Sequence, residues 1–172
     1  PMLAEWAEMD VVLADEFRDG NVPAMMDPLT VAKKAFAALP ETVTTYYYRG
    51  DSACHESDLI HWLRDENRVE GPKGRIGFAI SARMSEALHK AIEKVPEEAW
   101  ESYGKSHPVE IRECAEVSFV PGEKSEHKDT QPLRYMAIRI GQRQESLFAD
   151  GSKVKHFAVV TNMGEWKGGR LI

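Results

Sequence analysis

Val43-Thr44-Thr45-Tyr46-Tyr47-Tyr48-Arg49-Gly50-Asp51-Ser52 is a run of β-branched and aromatic residues closed by a glycine and an acid. Side chains of that kind suit a pleated, buried surface, so six in a row predict a central strand that ends at Gly50. A helix-like run, His55 to Asn67, follows. Asp51 therefore stands where a strand hands over to a helix. In a mostly parallel sheet this is the carboxyl edge, where ligand and metal sites are usually built. Asp51 is the leading candidate for chemistry.

Upstream, Met2 to Met9 and Val11 to Phe17 have strand-like stretches joined at Glu8-Met9-Asp10, which predicts a hairpin whose second strand is ended by Arg18-Asp19-Gly20-Asn21. Asp27-Pro28 supplies an N-cap and a proline at the first helical position. Leu29, Ala32, Ala35, Phe36 and Leu39 then recur at helical spacing until Pro40. Downstream, Leu59, Ile60 and Leu63 form one apolar helix face. Beyond the turn cluster Gly71-Pro72-Lys73-Gly74, Arg75 to Ser81 is a short apolar strand, and the order strand, helix, strand predicts that it lies parallel to the tyrosine-rich one.

From Met84 the pattern changes. Ala87, Leu88, Ala91, Ile92 and Val95 form a helical stripe ended by Pro96, and Val109, Ile111, Ala115, Val117 and Phe119 sit at alternate positions of a half-buried strand. Pro121 to Gln131 is polar and aperiodic, an exposed loop. Leu133 to Ile140 and Lys155 to Asn162 complete a β-rich region.

At 172 residues the chain buries one good core. Its 42% hydrophobic content is that of a globular protein, and its net charge of -6 is opposite in sign to that of most nucleic-acid-binding domains. Cys54 and Cys114 lie sixty residues apart with no second pair to make a metal knuckle or a disulfide framework, which predicts a reducing, cytoplasmic setting. No apolar run approaches the length of a membrane span, so no membrane partner is expected.

Three strings, in order, resemble the DDE transposases of bacterial insertion sequences: Leu13-Ala14-Asp15-Glu16-Phe17-Arg18-Asp19-Gly20-Asn21-Val22, Tyr46-Tyr47-Tyr48-Arg49-Gly50-Asp51-Ser52-Ala53-Cys54-His55 and Phe157-Ala158-Val159-Val160-Thr161-Asn162. The resemblance spans essentially the whole chain, and is to the branch with an RNase H-like core and a β-strand insertion before the last catalytic helix. It implies a mixed α+β fold with a partial RNase H-like core over 1–82, a β-rich insertion over 83–153 and a return strand over 154–172.

The resemblance further implies cleavage and transfer of DNA strands at transposon ends by two divalent ions, Mg²⁺ or Mn²⁺, held by an Asp, Asp, Glu trio. Two neighbouring cations activate the attacking oxygen and neutralise the leaving one, and hard cations take carboxylate oxygens. Asp51 matches the second member. The first belongs on a strand before the hairpin and the third on a helix beyond the last strand, and the chain stops at Gly168-Gly169-Arg170-Leu171-Ile172, just short of that helix. One carboxylate cannot hold two ions. The expectation is a fragment that is inactive alone and that binds no metal tightly. The alternative is a non-catalytic RNase H-like domain used for binding or oligomerisation, with a homodimer formed through the sheet edge left beside the tyrosine-rich strand.

Each candidate residue also has a plainer role. Asp51 can be the N-cap of the helix after it. Arg49-Gly50-Asp51 spells an adhesion tripeptide, which a strand-end position without an export signal disfavours. Cys54 and His55 project in different directions, which favours a buried thiol and a surface imidazole over a zinc cluster. Arg18, Asn21 and Arg49 are candidate DNA contacts, with a simple Asn-Gly turn as the alternative for the first two. Glu5, Glu8, Asp10, Asp15 and Glu16 fall in the hairpin as solvated charges. The cations from Lys124 to Lys155 are interleaved with acids, which gives a mixed surface as readily as a DNA contact.

Overall fold

A computed structural model describes residues 2–17, 27–105, 109–121, 133–142 and 153–171. The fold is mixed α+β and divides into two units, Pro1–Ile80 and Ser81–Ile172.

In the first unit, β1 (Met2–Trp6) and β2 (Val11–Glu16) form the antiparallel hairpin, with Asp10 at φ 55° in the connecting turn. Helix α1 (Pro28–Ala37) starts as its sequence dictates: the Asp27 carboxylate accepts the Thr30 N–H at 3.0 Å and Pro28 occupies the first turn, where a missing N–H costs nothing. Val31 and Ala35 of α1 form a small core with Ala14 of β2, and Met2, Ala4 and Leu13 pack against it. This is the helix cover that a two-stranded hairpin needs for stability.

Strands β3 (Tyr46–Gly50) and β4 (Ile76–Ser81) are parallel, in register from Tyr46 opposite Ile76 to Gly50 opposite Ile80. Five consecutive residues of β4 are buried, the pattern of a strand covered on both faces. Helix α2 (Ser57–Arg64) lies between them in sequence and buries Leu59, Ile60, Trp62 and Leu63, while Asp58 and His61 are exposed.

Two expectations need correction. The strand starts at Tyr46 rather than Val43, and it is an edge strand, not a central one: among the described residues β3 pairs with β4 alone. Tyr46 and Tyr48 turn one way, toward Phe36 of α1, with ring centroids 5.9 and 6.4 Å away, and Tyr47 is 54% exposed on the other side. Aromatic and β-branched composition reports a half-buried pleated surface and does not distinguish an edge from a centre. The helix-like run His55 to Asn67 also yields a shorter helix than expected, Ser57–Arg64. A 3₁₀ turn, Ser52–Cys54, comes first, and α2 begins only at Ser57, where the Glu56 carboxylate accepts the N–H groups of Asp58 and Leu59 at 2.9 Å each.

In the second unit, α3 (Glu86–Ile92) is capped by Ser85 and buries Leu88 and Ile92, a narrower face than the predicted stripe because Ala87 is exposed. Strands β5 (Glu101–Ser102), β6 (Glu110–Val117), β7 (Arg134–Gln142) and β8 (Val154–Thr161) are antiparallel in the spatial order β8-β7-β6-β5. The β6 alternation holds only in part. Val109 and Ile111 are exposed, whereas the adjacent Cys114 and Ala115 are both buried, so the covered segment is the second half of the strand. Arg139 on β7 donates to Glu113 on β6 and to both carboxylate oxygens of Glu97, at 2.6 to 2.9 Å, with its guanidinium 4.5 Å from the Trp100 ring centroid. It fastens the segment before β5 to the sheet. Arg134 reaches the carbonyl of Trp166 at 2.5 Å and so holds the chain after β8. A single helical turn, α4 (Gly168–Leu171), follows. No helix among the described residues is long and apolar enough to cross a membrane. Apart from Pro121, the polar loop predicted from Pro121 to Gln131 lies outside the described residues.

Candidate functional site

The first residue after β3 is Asp51, and the parallel partner β4 runs alongside it to Gly50 opposite Ile80, so the carboxylate stands at the carboxyl edge of a parallel pair. It is exposed. Its Oδ1 accepts the Ala53 N–H at 2.9 Å, and its main-chain carbonyl accepts the Cys54 N–H at 3.1 Å. Asp51 thus caps the 3₁₀ turn. The cap of α2 is Glu56, so the plainer role expected for Asp51 is realised one turn earlier than the sequence suggested.

The turn folds Cys54 back over the strand end. A Cβ on Gly50 would lie 2.7 Å from the Cys54 Cβ, closer than real side chains approach, so glycine is required at the position before the carboxylate. The Tyr48 hydroxyl donates to the Cys54 Sγ at 3.2 Å. Burial raises the Tyr48 ionisation well above the ordinary phenol range, and the neighbouring thiol adds to the rise. Burial likewise raises the Cys54 thiol, with the charge of Asp51 adding to it and the Tyr48 hydrogen bond opposing it. Both groups are neutral near pH 7, so Cys54 is a packed thiol and not a thiolate nucleophile. Sequence gave no signal for this pair, because the six-residue separation becomes a contact only through the turn.

Among the described residues, no three or more His, Cys, Asp or Glu side chains come together as a group that could hold a metal ion. Asp51 is one oxygen-donor side chain, and a two-metal centre of the transposase kind does not fit the donors described here. Glu5 lies on β1, Asp15 and Glu16 on β2, and Glu8 and Asp10 in the turn between them. His55 is half-buried and His61 exposed. Arg49 is exposed on β3, opposite Ala79 of β4. Arg18 and Asn21, the other candidate DNA contacts, lie outside the described residues, as do Lys124, Lys128 and Arg143.

No protein-family model matches the chain, and comparison with curated proteins finds no match.

Proposed function

We propose that the chain descends from the DDE transposases, retains the second of their three metal-binding carboxylates as Asp51, and does not itself cut DNA. The observation that carries this reading is the position of Asp51, exposed at the carboxyl edge of the parallel pair β3 and β4, in a segment whose sequence resembles that family's. The parent enzyme would act on transposon-end DNA with Mg²⁺ or Mn²⁺. For this chain no step is assigned to a metal, because the described donors do not fit one. The net charge of -6 agrees with weak intrinsic affinity for nucleic acid. Supercoiled plasmid incubated with the purified chain and Mg²⁺ or Mn²⁺ is expected to nick no faster than buffer. Metal-dependent nicking that disappears in Asp51→Ala would overturn the proposal.

The edge position of β3 favours a second reading, an oligomerisation module. An edge strand presents main-chain donors and acceptors that another strand can pair with, and Tyr47 stands exposed on it. Light scattering during size exclusion is then expected to show the mass rising toward a dimer with concentration. A constant monomer mass into the millimolar range counts against it.

A further inference from the structure

We propose that the outward face of the β1–β2 hairpin is a docking surface for a basic, apolar segment of another protein. The inner face is spent on α1, through Ala14, Val31 and Ala35. On the outer face the cross-strand register puts Leu3 opposite Asp15 and Val12 opposite Glu5, and all four are exposed. The result is a checkerboard of apolar and acidic side chains. Leu3 is 61% exposed and Val12 56%, and at the two ends of the hairpin Met9 and Phe17 are 59% and 82% exposed. Several large apolar side chains exposed together on one small hairpin mark an interaction surface.

Charge decides what covers it. From Met2 to Phe17 the chain carries five carboxylates, Glu5, Glu8, Asp10, Asp15 and Glu16, and no Lys, Arg or His. That field repels nucleic-acid backbones and anionic lipid surfaces. It also opposes a second copy of the same face, because a two-fold contact would bring Glu5 and Asp15 of one copy against those of the other. A segment that alternates cations with aliphatic side chains satisfies both halves of the checkerboard: its apolar residues cover Leu3 and Val12, and its cations meet Glu5 and Asp15. The inference is independent of the transposase reading.

The test uses the full chain and three fluorescent peptides: alternating Lys-Val, alternating Glu-Val and alternating Lys-Ser. Anisotropy titration is expected to show saturable binding of the Lys-Val peptide alone, with amide shifts confined to Leu3, Glu5, Val12, Asp15 and their neighbours. Glu5→Lys/Asp15→Lys should weaken that binding by about tenfold or more, while the charge-matched control Glu41→Lys/Glu98→Lys, at two exposed positions elsewhere, leaves it unchanged. If the charge-reversed hairpin fails to fold, Glu5→Gln/Asp15→Asn provides the same comparison and should weaken binding in the same direction. Equal binding of the three peptides, equal loss in the control variant, or shifts away from the hairpin would overturn the proposal. So would self-association of the chain that Val12→Lys abolishes, because a second copy would then own the face.

Discussion

Arg68→Ala is expected to remove roughly 3 to 4 kcal/mol of folding stability from the first unit, a large part of what holds a domain together. Arg68 is 1% exposed, although it sits in the polar stretch Asp65 to Glu70. Its Nε donates to the Trp62 carbonyl at 3.0 Å and its Nη2 to the Leu63 carbonyl at 3.1 Å, which satisfies acceptors that the end of α2 leaves without helical partners. Its Nη1 donates to the Gly74 carbonyl at 2.9 Å and also to that of Pro72. One guanidinium thereby joins the last turn of α2 to the loop that leads into β4. The same group lies 5.3 Å from the Trp62 ring centroid, and Gly71, at φ +93°, folds so closely over that ring that a Cβ there would lie 2.7 Å from Trp62 Cζ2.

Truncation would leave the buried Trp62 and Leu63 carbonyls without the donors Arg68 supplies, and the missing donor costs more than the net worth of the bonds. Arg68→Lys should recover little, because an ammonium cannot span acceptors arranged for a planar fork. Urea unfolding followed by tryptophan fluorescence measures the difference, and a cost below about 1 kcal/mol would contradict this account of the loop.

The second large effect is expected at Phe78→Ala, roughly 3 to 5 kcal/mol. Phe78 is fully buried, lies between the equally buried Ile76 and Ile80, and stands opposite Tyr48 in the parallel ladder. Removing its ring leaves a cavity in β4, the strand that pairs with β3 among the described residues. Since Gly50 opposite Ile80 is the last pair before Asp51, amide exchange should rise at Tyr48 and Gly50 together with the loss of stability. Unchanged protection at Tyr48 in a destabilised Phe78→Ala would show that β3 is held by something other than β4.

Much of this fold can be read from local chemistry. Asp27-Pro28 announces a helix start, and the cap to Thr30 is there. The apolar run from Ile76 to Ile80 announces a buried strand, and it pairs in parallel with the tyrosine-rich one as strand, helix, strand order predicts. Properties set by distant parts of the chain were not legible. Whether β3 is central or an edge depends on which strands lie beside it, and its own residues say only that one face is covered. The helix begins at Ser57 rather than His55 because Asp51 and Glu56 each cap their own turn, a competition that spacing alone does not resolve. The burial of Arg68 is least visible of all, since a charged residue among charged neighbours reads as solvated until main-chain carbonyls converge on it. For the candidate site, the position of Asp51 was readable, whereas its role in capping the Ser52–Cys54 turn and the Tyr48–Cys54 contact beside it emerge only in three dimensions.

Among the described residues no group of acidic side chains gathers around Asp51 to hold a metal ion, and calorimetric titration with Mn²⁺ asks whether the protein behaves accordingly. Wild-type chain is expected to bind no tighter than about millimolar, with whatever heat it gives diminished in Asp51→Asn. Two ions bound at about micromolar affinity, both lost in Asp51→Asn, would show that other acidic side chains complete the site and would contradict the account.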